Sequence, residues 1–351
     1  MSKLFSSLSI KSLEIKNRIF VSPMCQYSSN DGMPTDWHFV HLGSRAVGGA
    51  GLIIVEATAV SPEGRISPDD SGMWNEKHAE AYKRITDFVK QHDSSIGVQL
   101  GHAGRKASTY APWKGSGEVK EGGWQTIAPS AVPFAEGYPH PKEMTREDIK
   151  RVVEDFARAA ERSLRAGFQV IELHMAHGYL IHQFLSPLSN FRKDEYGGTL
   201  ENRCRFALEV AASVRGAIGG DIPLFARISA TDWAEGGWDI EQSVYLVKLL
   251  KQAGVDLIDC SSGGLVMKAS ISVGPGYQVS FAEKIKQETG ILTSAVGLIT
   301  SAEQAEQIVL TGQADAVLLG RAMLRNPYWP LHAAKVLRTD INWPEQYLRA
   351  K

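Results

Sequence analysis

Cysteine is scarce in this 351-residue chain, and neither sign of charge predominates. The three cysteines, Cys25, Cys204 and Cys260, share no metal-type spacing, which argues against a disulfide framework or a zinc cluster and favours a reducing cytosol. The formal net charge is −1, which argues against nucleic acid or an anionic membrane surface as the main partner. We therefore expect no nucleic-acid partner and no membrane partner.

Long apolar runs are also missing. No segment approaches the ~18 apolar residues that a membrane span requires, and the first twenty residues lack an apolar core of signal-peptide length. A GxGxxG motif between a strand and a helix is absent too, so the sequence contains no Rossmann site for a nicotinamide. These absences favour a cytoplasmic protein in which any nicotinamide would share another site.

Eight short, nearly continuous apolar segments recur along the chain, with amphipathic segments between them. Such segments are typical of strands buried on both faces, and their alternation with helices predicts a (β/α)8 TIM barrel. The absence of repeats, low-complexity tracts and linkers predicts a single domain over residues 1–351. The predicted strands are Arg18–Pro23, Leu52–Ala57, Ile96–Leu100, Val170–His174, Leu224–Ile228, Leu257–Cys260, Ile291–Ala295 and Ala316–Leu319.

Two helix starts carry capping signals. Thr145 with Asp148 predicts a helix that ends at Gly167, and Thr300 with Glu303 resembles a capping box. The segment from 107 to 142 is rich in Pro, Gly and aromatic residues and lacks helical periodicity. We predict that it is an insertion after the third strand, with a hairpin and loops that cap the barrel mouth.

The end of the fourth predicted strand is the most informative segment. It reads Ile171-Glu-Leu-His174-Met-Ala-His177-Gly-Tyr179, and active sites of such barrels lie at the carboxyl ends of the strands. Two imidazoles can donate to a developing oxyanion, and a phenol can deliver a proton. Ordinary core polar residues or a His-x-x-His metal pair are the alternatives, and the segment alone does not decide between them.

Gln99 and Arg227 are polar residues that close otherwise apolar strands. Burying them without partners would cost several kcal/mol, roughly 2–7 for each neutral polar group, so we expect a ligand or a neighbour to satisfy them. The pyrimidine edge of an isoalloxazine would use both, and Arg227 near it would stabilise an anionic reduced flavin. The alternative is an internal salt bridge, for instance between Arg227 and Glu172.

The last two predicted strands end in Gly297 and in Gly320-Arg321. Barrels often bind phosphate with the loops after strands 7 and 8, where glycines let backbone N–H groups approach and an arginine adds charge. A surface arginine in a salt bridge is the alternative for Arg321. Cys25 ends the first predicted strand, where it could lie against a bound cofactor.

Over nearly its whole length the chain resembles the Old Yellow Enzyme flavoproteins, specifically the branch that contains YqjM and xenobiotic reductase A. The segments that carry the resemblance are Lys16-Asn-Arg-Ile, Ser22-Pro-Met-Cys-Gln-Tyr27, Gln99-Leu-Gly-His-Ala-Gly-Arg-Lys106, Glu172-Leu-His-Met-Ala-His-Gly-Tyr-Leu180, Ser189-Asn-Phe-Arg, Asp194-Glu-Tyr-Gly-Gly198, Ala295-Val-Gly-Leu-Ile-Thr300, Leu319-Gly-Arg321 and Arg325-Asn-Pro327.

The resemblance implies bound, non-covalent FMN, with NADPH or NADH as reductant, and an ene-reductase that reduces electron-poor alkenes. It also implies a homo-oligomer, either a dimer or a tetramer. The implied flavin contacts are Ser22, Pro23, Met24, Cys25, Ala57, Gln99 and Arg227, and the implied phosphate contacts are Gly297, Gly320 and Arg321.

The resemblance further implies roles at the substrate. His174 and His177 would bind its carbonyl or nitro oxygen, Tyr27 would lie opposite, and Tyr179 would donate the proton. Cys25 would tune the flavin potential and substrate binding. Arg349 resembles a residue that reaches into a neighbouring subunit.

Three other functions compete with this hypothesis. Proteins like 2,4-dienoyl-CoA reductase share the barrel but append a Cys-rich segment, and no cysteine follows Cys260 here. A flavin-based redox sensor using Cys25 would not need a proton donor beside the flavin. A metal-dependent hydrolase using His174 and His177 lacks an obvious carboxylate partner at the neighbouring strand ends.

Overall fold

The computed structural model describes residues 2–351. Its strands are β1 (Leu8–Ile10), β2 (Leu13–Ile15), β3 (Ile19–Val21), β4 (Leu52–Ala59), β5 (Ser95–Gly101), β6 (Ile127–Ala128), β7 (Lys142–Glu143), β8 (Val170–Met175), β9 (Leu224–Ser229), β10 (Leu257–Ser261), β11 (Leu292–Ala295) and β12 (Ala316–Leu319). The α-helices are α1 (Asp36–Val47), α2 (Glu76–Gln91), α3 (Arg146–Arg165), α4 (Leu180–Leu185), α5 (Leu200–Ile218), α6 (Ile240–Gln252), α7 (Val279–Thr289), α8 (Ala302–Leu310), α9 (Arg321–Arg325) and α10 (Trp329–Val336). Short 3-10 helices cover Pro62–Gly64, Gly104–Lys106 and Glu345–Ala350.

Eight strands form a closed parallel barrel in the order β3, β4, β5, β8, β9, β10, β11 and β12, which confirms the predicted (β/α)8 fold. The barrel closes where β12 pairs with β3, with Leu318 beside Phe20. Helices follow most of the strands and cover the outside, as the alternating sequence pattern predicts. The carboxyl ends of all eight strands therefore meet at one rim.

The opposite end of the barrel is sealed by a feature that the sequence reading missed. β1 and β2 form an antiparallel hairpin whose Leu8, Ile10 and Ile15 are buried in one cluster with Phe20 and Phe225 from the barrel interior. Each hairpin strand has only three residues, too few for a periodic pattern to stand out. Because this end is filled with apolar side chains, the polar strand ends at the other rim are the place for chemistry.

The predicted N-cap residue is confirmed for α3, and the N-cap of α8 lies one residue after the predicted one. Thr145 Oγ1 accepts a hydrogen bond from the Asp148 backbone N–H at 3.1 Å and caps α3, as predicted. The prediction for Thr300 was wrong, because Ser301 caps α8 by accepting from the Gln304 N–H at 3.2 Å. Ser301 and Gln304 repeat the same Ser/Thr-x-x-Glu/Gln spacing one residue later, so the pattern alone was ambiguous.

The insertion after the third barrel strand lies over the rim, as predicted. Its Trp113 ring stands 5.5 Å from the ring of Tyr27, and its Val132 carbonyl accepts from Arg105. The insertion's two strands, β6 and β7, pair in parallel and not as a hairpin, because residues 129–141 loop between them. A single antiparallel bridge joins Thr109 and Glu118. Among residues 2–351, no helix has the length and apolarity to cross a membrane.

Candidate active site

The two histidines and the tyrosine after β8 come together at the rim. The His174 ring centroid lies 5.1 Å from that of His177 and 4.9 Å from that of Tyr179, with the rings nearly perpendicular in both pairs. A small cavity beside them is lined by His174 and Tyr179 together with Ala57 and Asp70. The structure thus brings the three predicted chemical groups together, and two of them, His174 and Tyr179, line this cavity.

His177 is held in an unusual backbone conformation. Its φ is 58°, a left-handed value that costs a residue with a Cβ and is often found at functional sites. Its backbone N–H donates to Ser229 Oγ at 2.9 Å, and its ring Nε2 lies 2.7 Å from Ser261 Oγ. Ser229 and Ser261 end β9 and β10, so the two neighbouring strands fix both the backbone and the ring of His177.

Both histidines are neutral. Burial and the positive charge of Arg227 hold the pKa of His174 and the pKa of His177 well below the ordinary value. His174 Nδ1 accepts from the Ala176 N–H at 3.3 Å, so the ring proton sits on Nε2. Burial also raises the pKa of Tyr179 well above its ordinary value, which keeps the phenol protonated. The pocket therefore contains neutral donors and an intact acid.

A metal site is not assembled here. Among residues 2–351 there is no group of three or more His, Cys, Asp or Glu side chains arranged to hold a metal ion. His174 Nδ1 is occupied by a backbone donor, and Ser261 contacts the ring of His177. The metal-pair alternative therefore has no ligand set in the described chain.

Beneath the histidines lies a buried polar network. Gln99 Nε2 donates to Glu172 Oε1 at 2.8 Å, and Arg227 Nη1 donates to Ser22 Oγ at 3.0 Å. The internal salt bridge considered for Arg227 exists, but its partner is Asp259, at 3.1 Å from Arg227 Nε to Oδ2, and not Glu172. Asp259 was missed by the sequence reading, although an acidic residue inside an apolar strand is the same signal that marked Gln99 and Arg227.

The two carboxyl groups of this network hold protons more tightly than free ones. Burial and the negative charge of Asp259 raise the pKa of Glu172 to about 8. Burial raises the pKa of Asp259 to about 6, against the opposing effect of Arg227. Glu172 is wholly buried and its Oε2 has no hydrogen-bond partner. A single arginine thus faces two buried carboxyl groups, and a proton on Glu172 relieves the excess negative charge.

This proton makes stability depend on pH. Because the folded-state pKa of Glu172 lies above its unfolded value, its contribution to stability is present at low pH and is lost as pH rises through about 8. The loss begins at the unfolded value of about 4.5, so we expect the stability of Glu172→Gln relative to the wild type to be greater at pH 9 than at pH 6. The difference should exceed about 1 kcal/mol, since one pKa unit corresponds to about 1.4 kcal/mol. Urea unfolding at a fixed FMN concentration measures it. Glu80→Gln on the exposed surface of α2 is the matched control, and equal pH profiles for all three proteins would contradict the assignment.

The segment after β3 is anchored by a carboxylate that the sequence reading also missed. Glu56 Oε1 accepts from His38 Nε2 at 2.7 Å and from Ser71 Oγ at 2.8 Å, and its Oε2 accepts from the Gln26 backbone N–H. His38 Nδ1 accepts from the Thr35 N–H at 3.0 Å, so its Nε2 carries the proton that it donates to Glu56. A register shift in β4 at Glu56 turns this side chain out of the barrel pattern.

Cys25 and Tyr27 flank this anchor. Tyr27 has a φ of 47° and Cys25 is partly buried. Burial, followed by the charges of Asp70 and Glu56, raises the pKa of the Cys25 thiol well above its ordinary value. A thiol held in the protonated form is a poor nucleophile and a poor target for oxidation.

The remaining predicted cofactor residues lie at neighbouring strand ends. Ala57 stands beside Gln99 in the pairing of β4 with β5, and Ser22, Pro23 and Met24 follow β3. Gly297 and Gly320 follow β11 and β12, which pair with each other, and Arg321 is exposed beside them. A Cβ on Gly297 would lie 2.9 Å from Tyr277 and Gln278, so the chain approaches there too closely for a side chain.

These residues fit a flavin mononucleotide. Gln99 uses its amide nitrogen on Glu172, and no hydrogen bond from residues 2–351 occupies its carbonyl oxygen. Arg227 donates from Nη1 to Ser22, its Nε faces Asp259 as an ion pair without a hydrogen bond, and Nη2 has no hydrogen bond from the same residues. A free acceptor beside a free cationic donor matches a ring edge with N–H and C=O groups. Gly320 and Arg321 lie at the rim position where barrels bind phosphate.

Arg349 is the one predicted site residue that lies outside the barrel strands and the loops that follow them. It is exposed in the 3-10 helix Glu345–Ala350, whose Tyr347 contacts Tyr328 next to α10. Its predicted reach into a neighbouring subunit stays a prediction.

Comparison with known proteins agrees with this geometry. The profile of the NADH:flavin oxidoreductase / NADH oxidase family matches residues 3–340. NADPH dehydrogenase of Geobacillus thermodenitrificans is 52% identical over 99% of this chain and 98% of its own length. NADPH dehydrogenase of Bacillus subtilis is 50% identical over the same shares of the two chains.

Solved structures show the same fold. Morphinone reductase superposes with a TM-score of 0.81 at 29% identity, covering 98% of this chain and 92% of that one. A 2-naphthoyl-CoA reductase complex superposes with a TM-score of 0.86 at 26% identity over 95% of this chain, which spans only 52% of that protein. This chain therefore belongs to the NADH:flavin oxidoreductase / NADH oxidase family, the Old Yellow Enzyme flavoproteins, and is an FMN-dependent NADPH oxidoreductase.

Proposed function

We propose that the enzyme is an ene-reductase that reduces the activated C=C bond of α,β-unsaturated carbonyl compounds and nitroalkenes. The observation that carries the proposal is the pocket in which two neutral histidines adjoin a protonated tyrosine. Neutral N–H donors suit an oxygen that gains negative charge during the reaction, and the phenol suits a carbon that must gain a proton.

In this proposal His174 and His177 bind the substrate oxygen. His174 donates from Nε2, since its Nδ1 accepts from the backbone. His177 can donate from Nδ1 when its Nε2 accepts from the Ser261 hydroxyl. Each well-placed donor to a developing oxyanion contributes about 3–4 kcal/mol to the barrier reduction. Because both rings are held by neighbouring groups, they need no rearrangement when the charge develops.

Bound FMN would supply the hydride at its N5 after reduction by NADPH or NADH, and the protein supplies the rest. Ser22, Gln99 and Arg227 would hold the ring edge, and Tyr179 would give its phenolic proton to the carbon α to the carbonyl. Tyr27 would face the substrate from the β3 side. The full set of proposed cofactor contacts is Ser22, Pro23, Met24, Cys25, Ala57, Gln99, Arg227, Gly297, Gly320 and Arg321.

The proposal also covers the domain organisation, the cellular location and the oligomeric state. One FMN-binding barrel domain over residues 1–351 would act in the cytoplasm as a homo-oligomer, with Arg349 completing a neighbour's pocket. The redox-sensor alternative is disfavoured by Cys25, because its raised thiol pKa leaves little thiolate at neutral pH to be oxidised.

The visible spectrum of the purified protein tests the reaction. Anaerobic NADPH should bleach the flavin bands, and 2-cyclohexenone added next should restore them. Bleaching without restoration by the enone, with restoration by oxygen intact, would contradict the ene-reductase proposal. A saturated ketone, cyclohexanone, is the matched control and should restore nothing.

A further inference from the structure

Lys106 adjoins the candidate active site, and none of the roles proposed above involves it. It ends the 3-10 helix Gly104–Lys106 that follows β5. Its Nζ donates to the carbonyl oxygen of His177 at 2.9 Å and to that of Gly264 at 3.0 Å. One ammonium group therefore joins the loops that follow β8 and β10.

These two loops touch through their backbones. A Cβ added at Gly178 would lie 2.2 Å from the carbonyl oxygen of Gly264, and a Cβ added at Gly264 would lie 2.7 Å from the Cα of His177. Such an approach leaves no room for a side chain between the two loops. It also leaves two partly buried carbonyl groups side by side, and Lys106 donates to both of them.

The lysine completes the restraint on His177. The left-handed backbone of His177 is held at its N–H by Ser229 and at its ring by Ser261, and its carbonyl is held by Lys106. Strained conformations persist only where the surroundings fix them. Without Lys106, the carbonyl side of His177 would lose its anchor.

Within residues 2–351, no Asp or Glu forms a salt bridge with Lys106, and none contributes to the shift of its pKa. Burial, followed by the like charge of Arg105, lowers the pKa of Lys106 to about 8. The Nζ lies 4.5 Å from the ring of Phe134 and 5.1 Å from the ring of Tyr179. A positive charge therefore faces the phenol that becomes a phenolate once it has given up its proton.

From these contacts we infer that Lys106 is a positioning residue for the reaction: it holds His177 in the donor orientation and offsets the negative charge left on Tyr179. This inference rests on the proposed ene-reductase function. The proton moves from the Tyr179 hydroxyl to the substrate carbon, the phenolate remains, and solvent later returns the proton. Lys106 keeps its own proton throughout.

The charged and titratable groups that face Lys106 are few. Arg105 precedes it in the chain, and His174, His177 and Tyr179 face it from β8 and its loop. The loop after β10 contributes the backbone carbonyl of Gly264, and the insertion contributes the uncharged ring of Phe134. With both histidines neutral and the phenol protonated, Lys106 is the group of this set that titrates near pH 8.

The experiment compares Lys106→Met, Lys106→Arg and the surface control Lys83→Met, on the exposed face of α2. Lys106→Met should slow flavin reoxidation by 2-cyclohexenone by about 10²-fold, as expected when a reacting group is misplaced by about 1 Å. Bleaching by NADPH and FMN content should change little. Lys106→Arg should recover most of the rate, and Lys83→Met should behave as the wild type.

The pH profile separates this role from a merely structural one. In the wild type the reoxidation rate should fall as pH rises through about 8, where Lys106 loses its proton. Lys106→Arg should reduce this fall because a guanidinium stays charged, and what remains is the contribution of Glu172, whose pKa is also about 8. That variant keeps the test decisive even if Lys106→Met does not fold. A fall near pH 8 that is as large in Lys106→Arg as in the wild type would overturn the inference, as would an unchanged reoxidation rate in Lys106→Met.

An equilibrium binding measurement distinguishes a failure of the inference on Lys106 from a failure of the ene-reductase proposal. Cyclohexanone has the oxygen that His177 would bind but no C=C bond, and its Kd can be read from the flavin absorption band. The Kd should rise in Lys106→Met and not in Lys83→Met. If wild-type flavin is not reoxidised by the enone, the ene-reductase proposal fails, while an unchanged Kd overturns the inference on Lys106.

Discussion

Replacing Tyr179 with phenylalanine is expected to slow enone-driven flavin reoxidation by about 10²–10⁴-fold, the range for loss of a general acid. The ring of Tyr179 packs against His174 and lies near Lys106, and phenylalanine preserves both contacts. Only the hydroxyl is removed, and its raised pKa shows that it is protonated at neutral pH. Stopped-flow absorbance after mixing reduced enzyme with 2-cyclohexenone measures the rate.

Tyr27→Phe is the matched control, because Tyr27 is a second phenol at the same pocket and also has a raised pKa. It should weaken substrate binding more than it slows the chemical step. Reduction of the flavin by NADPH should stay near the wild-type rate in both variants. Equal losses of reoxidation rate in Tyr179→Phe and Tyr27→Phe would contradict the assignment of Tyr179 as the proton donor.

Arg227→Met is expected to lower the free energy of unfolding by about 3–5 kcal/mol at pH 8, the cost of leaving a buried charge without its partner. Arg227 is 6% exposed, and its Nε lies 3.1 Å from Asp259, which is completely buried. Without the guanidinium, two carboxyl groups and no cation would remain in the barrel. FMN content should fall as well, because Arg227 is a proposed contact of the flavin ring.

The pH dependence identifies the cause of this loss. The deficit should shrink at pH 5.5, because the pKa values of Asp259 and Glu172, about 6 and about 8, allow both groups to take up protons there. Adding Asp259→Asn to Arg227→Met should restore part of the stability at pH 8. Arg84→Met on the exposed surface is the control, and a deficit that is the same at both pH values would show that packing, not charge, causes it.

The barrel could be predicted because its strands have local signatures. Val170–Met175 and Leu224–Ser229 are buried throughout, so each reads as a short apolar run without knowledge of its neighbours. The rim positions of His174, His177 and Arg227 follow from the same rule, since each polar residue stands where an apolar run ends. For these residues, the local sequence alone is enough to predict a position at the rim.

The side-chain partners that lie on other strands or loops could not be predicted, because these contacts depend on strand register and on segments distant in sequence. Arg227 pairs with Asp259 since β9 and β10 align these two residues, and nothing local distinguishes Asp259 from Glu172 as the partner. Glu56 reaches His38 through a register shift in β4, which no periodic pattern contains. Lys106 joins two loops separated from it in sequence by more than a whole element.

The closure of the barrel by β12 against β3 has a consequence for synthesis of the chain. Ile19 to Val21 pair with Val317 to Leu319, so the first barrel strand meets its last neighbour only when nearly the whole chain has left the ribosome. At about 5–20 residues per second, roughly 15–60 s pass between the emergence of the two strands. During that time one edge of β3 is open and its apolar residues lack their final cover, so nascent chains are exposed to aggregation and to binding by chaperones. Slower translation should therefore lower the soluble yield of this enzyme when chaperones are limiting.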